Sequence, residues 1–261
     1  MKHTPYSSTA LAVLVSMLVS LPVQAGTPLK VCMAEDNAPF SSSAGGGVDP
    51  LVTAELGRRL DRPVRIEWVQ IPARGGLGKA LNQTVRKGRC EVFAGVPTDG
   101  EEGESLAERQ LVASDTYLTV GYVLVRAPGS LIAGRKDLSG ARIGAVTATP
   151  ADLFLFREHL TRQPYGNNAS LLRAVQTGDV DAAIVWGPAL ARLVADGNTL
   201  WPGAVVPDTR FDDDMLAHLT LVLPADQTEL KKDINQALAA MRAEGAIARA
   251  GAQYGLPSTG P

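Results

Sequence analysis

The sequence predicts an α/β protein of two lobes, each built on a largely parallel sheet. Three strings carry this expectation: LKVCMAEDNAPF at Leu29–Phe40, GRCEVFAGVP at Gly88–Pro97 and GDVDAAIVWGP at Gly178–Pro188. Each is a short apolar run that ends in a polar or proline-bearing turn. Runs of this length bounded by turn residues read as strands buried on both faces. In open α/β sheets, ligand crevices form where such strands end, at the carboxyl edge.

After the first string, Asp49-Pro50 reads as a helix N-cap followed by proline at the first helical position. Val52, Leu56 and Leu60 then recur on one face, and Pro63 ends the element. Val64–Gln70 alternates as a strand carrying Trp68, a helix runs from about Gly76 to Lys87, and Cys90–Val96 is the third strand. The order β-α-β-α-β implies a parallel sheet with right-handed crossovers. Thr98–Glu104, acidic and rich in glycine, reads as an exposed loop, and Tyr117–Val125 as a β-branched strand. A second β-α series begins at Arg142–Val146 and turns at Thr147-Ala148-Thr149-Pro150 into a helix ending near His159. It continues with a helix over Leu171–Thr177, a strand over Ala182–Trp186 and a helix over Ala189–Ala195. Leu219–Leu223 is a further strand, and the chain is mostly helical from Asp226 to about Tyr254, with a break near Gly245.

Residues 1–25 have the layout of a secretory signal peptide. Lys2 and His3 lie at the start, Ala10–Leu21 is an apolar run, and Val23-Gln24-Ala25 is a small-x-small cleavage site. The run is shorter than the ~20 residues that span a bilayer, and no cysteine stands directly after the site. The expectation is an exported protein without a lipid anchor. A net charge of −2 and an apolar fraction of 45% describe a folded chain, and no basic stripe suggests nucleic acid. The two cysteines, Cys32 and Cys90, read most simply as one disulfide, with two separate buried thiols as the alternative.

The sheet pattern stops and restarts. One lobe is expected over residues 26–120, completed by 214–261, and the other over 121–213. The crossings fall near Thr119–Arg126 and Phe211–Leu219. On this order, and on the strings VCMAEDNAPFS (Val31–Ser41), GRCEVFAGVP, GYVLVR (Gly121–Arg126) and DAAIVWGP (Asp181–Pro188), the chain resembles family 3 extracellular solute-binding proteins. Within that family it is similar to the quinoprotein-dehydrogenase-associated branch, the MxaJ- and XoxJ-like J proteins of methanol-oxidation systems. The resemblance implies a type II periplasmic binding protein clamshell, two α/β lobes joined by two hinge crossings. It also implies a role beside a pyrroloquinoline quinone (PQQ)-dependent alcohol dehydrogenase and its c-type cytochrome. No intrinsic cofactor is expected, and PQQ itself is a candidate ligand.

The resemblance has one informative departure. Amino-acid-binding members hold the ligand carboxylate with an arginine soon after the third strand and the ammonium with an acid beyond the second-lobe strand. Glu108-Arg109 before Ser114-Asp115-Thr116-Tyr117 resembles the first element, with shortened spacing, whereas Trp186-Gly187-Pro188 stands at the second. An α-ammonium without that carboxylate would lose several kcal/mol of charge-assisted pairing in a closed cleft.

Candidate cleft residues lie at and beyond the strand ends. Glu35, Asp36 and Asn37 end the first strand, as polar contacts or as a capping turn. Phe40 could stack on a planar ligand or fill a packed corner. Arg74 precedes Gly75-Gly76 at a strand-to-helix turn, where a cation and open backbone suit an anion or simply face solvent. Thr98 opens the loop that follows the third strand, and Arg109 and Tyr117 come from the family match. Thr147 and Thr149 precede a helix, as a carboxylate site or as N-caps. Trp186 could wall the cleft or sit in the core. Asp212-Asp213-Asp214 reads as a solvated loop, because three consecutive carboxylates cannot point one way.

After residue 25 the only histidines are His159 and His218, in no recognisable cluster, and no catalytic or metal motif is present. The expectation is a non-enzymatic periplasmic accessory protein that uses a ligand or partner cleft. One alternative is capture of a small anionic solute for an ABC permease. The other is a lyase or dehydratase working through Glu35 or Asp36.

Overall fold

The computed structural model describes residues 26–207 and 209–256. The expected signal peptide lies outside them. Among the described residues no helix is long and apolar enough to cross a membrane.

The first lobe opens with β1 (Leu29–Ala34), a short hairpin of β2 (Asp36–Asn37) and β3 (Ser41–Ser42), and α1 (Val48–Arg59). It continues through β4 (Val64–Val69), α2 (Gly76–Gln83), β5 (Val92–Pro97), the short turn α3 (Glu101–Glu104) and β6 (Leu111–Ala113). β7 (Leu118–Arg126) leads into the second lobe. Its elements are β8 (Ile143–Val146), α4 (Pro150–Arg157), β9 (Arg162–Tyr165), α5 (Asn168–Thr177), β10 (Ala182–Trp186) and α6 (Gly187–Ala195). β11 (Leu216–Pro224) returns to the first lobe, which α7 (Thr228–Ala243) and α8 (Ala246–Gln253) complete.

The strands form one curled sheet in the order β4-β1-β5-β11-β7-β10-β8-β9, with β6 on β11. β4, β1 and β5 are parallel, as are β10, β8 and β9, while β11 and β7 are antiparallel to their neighbours. The two lobes meet where Leu118–Gly121 of β7 pairs with Leu216–Leu219 of β11. β5 joins β11 beside this ribbon at Pro97↔Leu219, and β10 joins β7 at Trp186↔Tyr122. The carboxyl ends of both parallel sets therefore face each other across the ribbon. This is where ligands enter open α/β folds.

Two cores sandwich each half of the sheet. In the first lobe, Leu29, Val31 and Met33 pack with α1, α7 and α8, and Cys32, Phe93 and Val96 pack with α2. In the second, Val123, Val125 and Val185 meet α5, while Leu124 and Ile184 meet α4. The alternation is the period of two that a strand buried on both faces requires. Cys32 and Cys90 form a disulfide between β1 and the turn before β5, with a Cα–Cα distance of 5.7 Å.

Three local readings change. α1 starts at Val48 behind Gly47, so Asp49 is in the first turn and points inward, fully buried, rather than capping from outside. α2 stops at Gln83, where Thr84 turns its hydroxyl back to the Ala80 carbonyl and a 3₁₀ turn begins. β6, β9 and the β2–β3 hairpin are too short or too polar for an alternation signal, and only their partner strands make them strands.

Candidate functional site

The turns after β1, β4 and β5 build the first-lobe rim of the crevice. The Glu35 backbone N–H donates to the Val69 carbonyl at 3.0 Å, which continues the ladder one residue past β1. Asp36 and Asn37 are exposed on the hairpin. Asp36 also lines a groove of about 680 Å³ that reaches Ala191, Val194 and Ala195 of α6, so the hairpin faces the second lobe. Arg74 is exposed and carries no ion pair among the described residues. Arg109 donates from Nε to the Ser105 hydroxyl at 3.2 Å, and its guanidinium lies over Gly78 in the first turn of α2. A Cβ on Gly78 would stand 2.5 Å from that group, so the glycine makes room for it.

Two expected contacts turn inward. Phe40 lies in the first-lobe core at 9% exposure, and Tyr117 is 3% exposed. The Tyr117 hydroxyl donates to Asp49 Oδ1 at 2.5 Å, while Asp49 Oδ2 has no partner among the described residues and lies against Gly95. Burial pushes the Asp49 carboxyl up to about 7, opposed by the Tyr117 hydrogen bond. Burial and the neighbouring carboxyl also raise the Tyr117 phenol well above its ordinary value.

In the second lobe both threonine hydroxyls of the Thr147-Ala148-Thr149 turn already have partners within the chain. Thr147 donates its hydroxyl to the Tyr165 carbonyl, and Thr149 donates to Val146 while accepting from the Asp152 N–H. Asp152 in turn accepts from the Ala148 N–H at 3.1 Å and pairs with Arg162 at 3.0 Å. Thr149 is thus the N-cap of α4, and the Asp152 carboxylate bonds one residue further back, to Ala148 at φ 58°. Of the two readings of this turn, an anion site or an N-cap, the cap is the one these bonds show. Thr149→Ala is expected to cost about 1 kcal/mol in a urea titration, the usual value of a lost N-cap.

Trp186 ends β10, half-buried, and packs on Tyr122 with ring centroids 5.1 Å apart. It also touches the first-lobe core, which puts this aromatic pair at the junction of the lobes. Burial raises the Tyr122 phenol, with the Thr149 hydroxyl beside it opposing. Tyr122 was hidden by the apolar run of β7 and emerges only from its register with Trp186. Asp212 and Asp214 are held by Arg135 and Arg157, so two of the three aspartates are tied to the second lobe. Among the described residues no group of three or more His, Cys, Asp or Glu side chains could hold a metal ion.

A crevice between two such lobes defines the type II periplasmic binding protein fold. The L-cystine solute receptor of Neisseria gonorrhoeae, in its unliganded open conformation, shares it with a TM-score of 0.71 at 19% identity over 88% of this chain and 93% of that one. MxaJ from Methlophaga aminisulfidivorans MPT superposes at TM-score 0.57 and 21% identity, covering 88% and 99% of the two chains. An ancestral cyclohexadienyl dehydratase has the same fold at TM-score 0.65 and 21% identity, over 87% and 92%. No protein-family model matches the chain. In sequence it is similar to Protein MoxJ of Methylorubrum extorquens AM1, 26% identical over 248 residues, which cover 82% of this chain and 76% of the relative. The chain is thus similar to MxaJ-like proteins of the family 3 solute-binding type.

Proposed function

We propose that this is a non-enzymatic periplasmic accessory protein of a PQQ-dependent alcohol dehydrogenase system of the methanol-oxidation type. In this reading it acts through the crevice between its lobes. The likeness to MoxJ along most of the chain carries the reading. Trp186-Gly187-Pro188 adds to it, because an apolar wall in place of an ammonium-binding acid disfavours ordinary amino-acid capture. Partner proteins would be the dehydrogenase and its c-type cytochrome. Deleting the gene under inducing conditions is expected to lower dehydrogenase activity; unchanged activity and unchanged cofactor loading would defeat the proposal.

A second reading is capture of a small anionic solute, PQQ among the candidates, for a permease. The exposed Arg74 and the Arg109 guanidinium over α2 favour it. Calorimetry of the mature protein with PQQ against an amino-acid panel separates the two: saturable one-to-one binding of the quinone supports a carrier. A lyase reading would need Glu35 or Asp36 to act on a substrate, and it fails if substituting both leaves every detected activity intact.

A further inference from the structure

The polar face of the ribbon joining the lobes carries a site that neither the strand ends nor the aromatic pair includes. Along β11, Ala217 and Leu219 turn toward the first-lobe core, and so do their partners Val120 and Leu118 on β7. His218 and its cross-strand partner Thr119 therefore point out of the opposite face. The chain leaving β5 meets His218 there. Thr98 donates its backbone N–H and its hydroxyl to the His218 carbonyl, at 3.1 and 3.3 Å. Asp99 holds the histidine twice: Oδ2 accepts the His218 backbone N–H at 2.6 Å, and Oδ1 lies 2.8 Å from the ring Nδ1.

That pairing decides the tautomer. A carboxylate oxygen only accepts, so Nδ1 must carry the proton, and the lone pair of a neutral ring is on Nε2. Nε2 has no protein partner among the described residues, and the side chain is 36% exposed. In its neutral form the ring is therefore an oriented acceptor at the meeting point of the two lobes.

We infer that His218, positioned by Asp99, is a ligand-contacting residue at the floor of the crevice, and that the group it receives is a hydrogen-bond donor, a hydroxyl or an amine. The inference rests on the crevice being a binding site, as proposed above, and names the chemistry of one end of the ligand. One observation on the second-lobe side agrees with it: Gly187 and Pro188, directly beyond β10, include no acid, so recognition of a ligand donor must come from elsewhere. The Asp99 carboxylate, itself 42% exposed, adds negative potential beside Nε2 and favours a donor over an anion.

The test is a titration of the ¹⁵N-labelled wild-type protein, following the His218 imidazole by long-range ¹H–¹⁵N correlation. Ethanolamine is the donor probe and acetate the acceptor-only control. The spectrum should show the Nδ1-protonated tautomer, which Asp99→Asn disturbs. Ethanolamine should shift Nε2 saturably while acetate does not, and His218→Gln should weaken the probe by about tenfold, as loss of a hydrogen bond to a charged donor does. An Nε2-protonated tautomer, a still Nε2 signal at saturating ethanolamine, or an equal response to acetate would each overturn the inference. Calorimetry with PQQ keeps the two proposals apart. If the quinone binds wild type and His218→Gln equally, the crevice reading stands and the His218 assignment falls. If the quinone does not bind but ethanolamine moves Nε2 saturably, the His218 assignment stands and only the quinone is excluded as its ligand.

Discussion

Folding stability is expected to fall by roughly 4 kcal/mol between about pH 4 and pH 7 because of one residue, Asp49. Its carboxyl is raised from 3.8 to about 7 by complete burial. Below the lower value both folded and unfolded chains hold the proton, and the group contributes no slope. Between the two values only the folded chain holds it, so folding takes up a proton and stability declines by about 1.4 kcal/mol per pH unit. Above about 7 both states are ionised and the decline ends. Urea titrations across this range should show the slope in wild type and a flatter profile in Asp49→Asn, which should be the more stable of the two at pH 8. Parallel profiles would show that Asp49 does not titrate in this window. Tyr117→Phe removes the donor that favours the charged form, so its decline should extend to higher pH. Gly95→Ala should destabilise at any pH by about 1–3 kcal/mol, because a side chain at φ 80° would be strained and its Cβ would stand 2.5 Å from Asp49 Oδ2.

Loss of the Cys32–Cys90 bridge is expected to cost about 4 kcal/mol. Its two ends are 58 residues apart, and closing a loop of that size removes this much from the unfolded chain on the chain-entropy model. Both cysteines are fully buried in the core beneath α2, so a double serine variant also places two hydroxyls among Leu81, Val85 and Phe93. A double alanine variant separates the terms, since it leaves small cavities and no polar burden. Equal midpoints for the oxidised and reduced wild-type protein would rule out a stabilising role for the bridge.

Much of the fold was legible because strands buried on both faces announce themselves. The runs at β1, β5, β7, β8 and β10 are apolar at consecutive positions and end in turns, so the alternation of sheets and helices could be written down from residue types alone. Gly245 was readable as the break between α7 and α8, where it holds φ 71°. Edge strands behave differently. β9 is RQPY, exposed at its first three positions, and nothing but its ladder to β8 makes it a strand.

The site was legible by location and much less by role. Strand-end reasoning points to Asp36, Thr98, Thr149 and Trp186 because ends of parallel strands converge on one edge, whereas Arg109 came from the family resemblance. It cannot tell which side chains turn inward. Phe40 and Tyr117 lie beyond the same turns and are buried, and Asp49 reads as an N-cap until the start of α1 is known. Thr149 illustrates the same limit: one sequence fits an anion site or an N-cap, and the bond from the Asp152 N–H to its hydroxyl shows the cap.

The sequence by itself determined the class of fold and the order of its long strands and helices, since these depend on residue types at short range, and it made a disulfide the simplest reading of its two cysteines. Only the tertiary structure decided that Asp99 and His218 meet, 119 positions apart, at the ribbon between the lobes. It alone set Asp49, Gly95 and Tyr117 around one buried proton. Such contacts arise from strand register and helix start points, and a shift of one residue in either would turn these side chains to the other face.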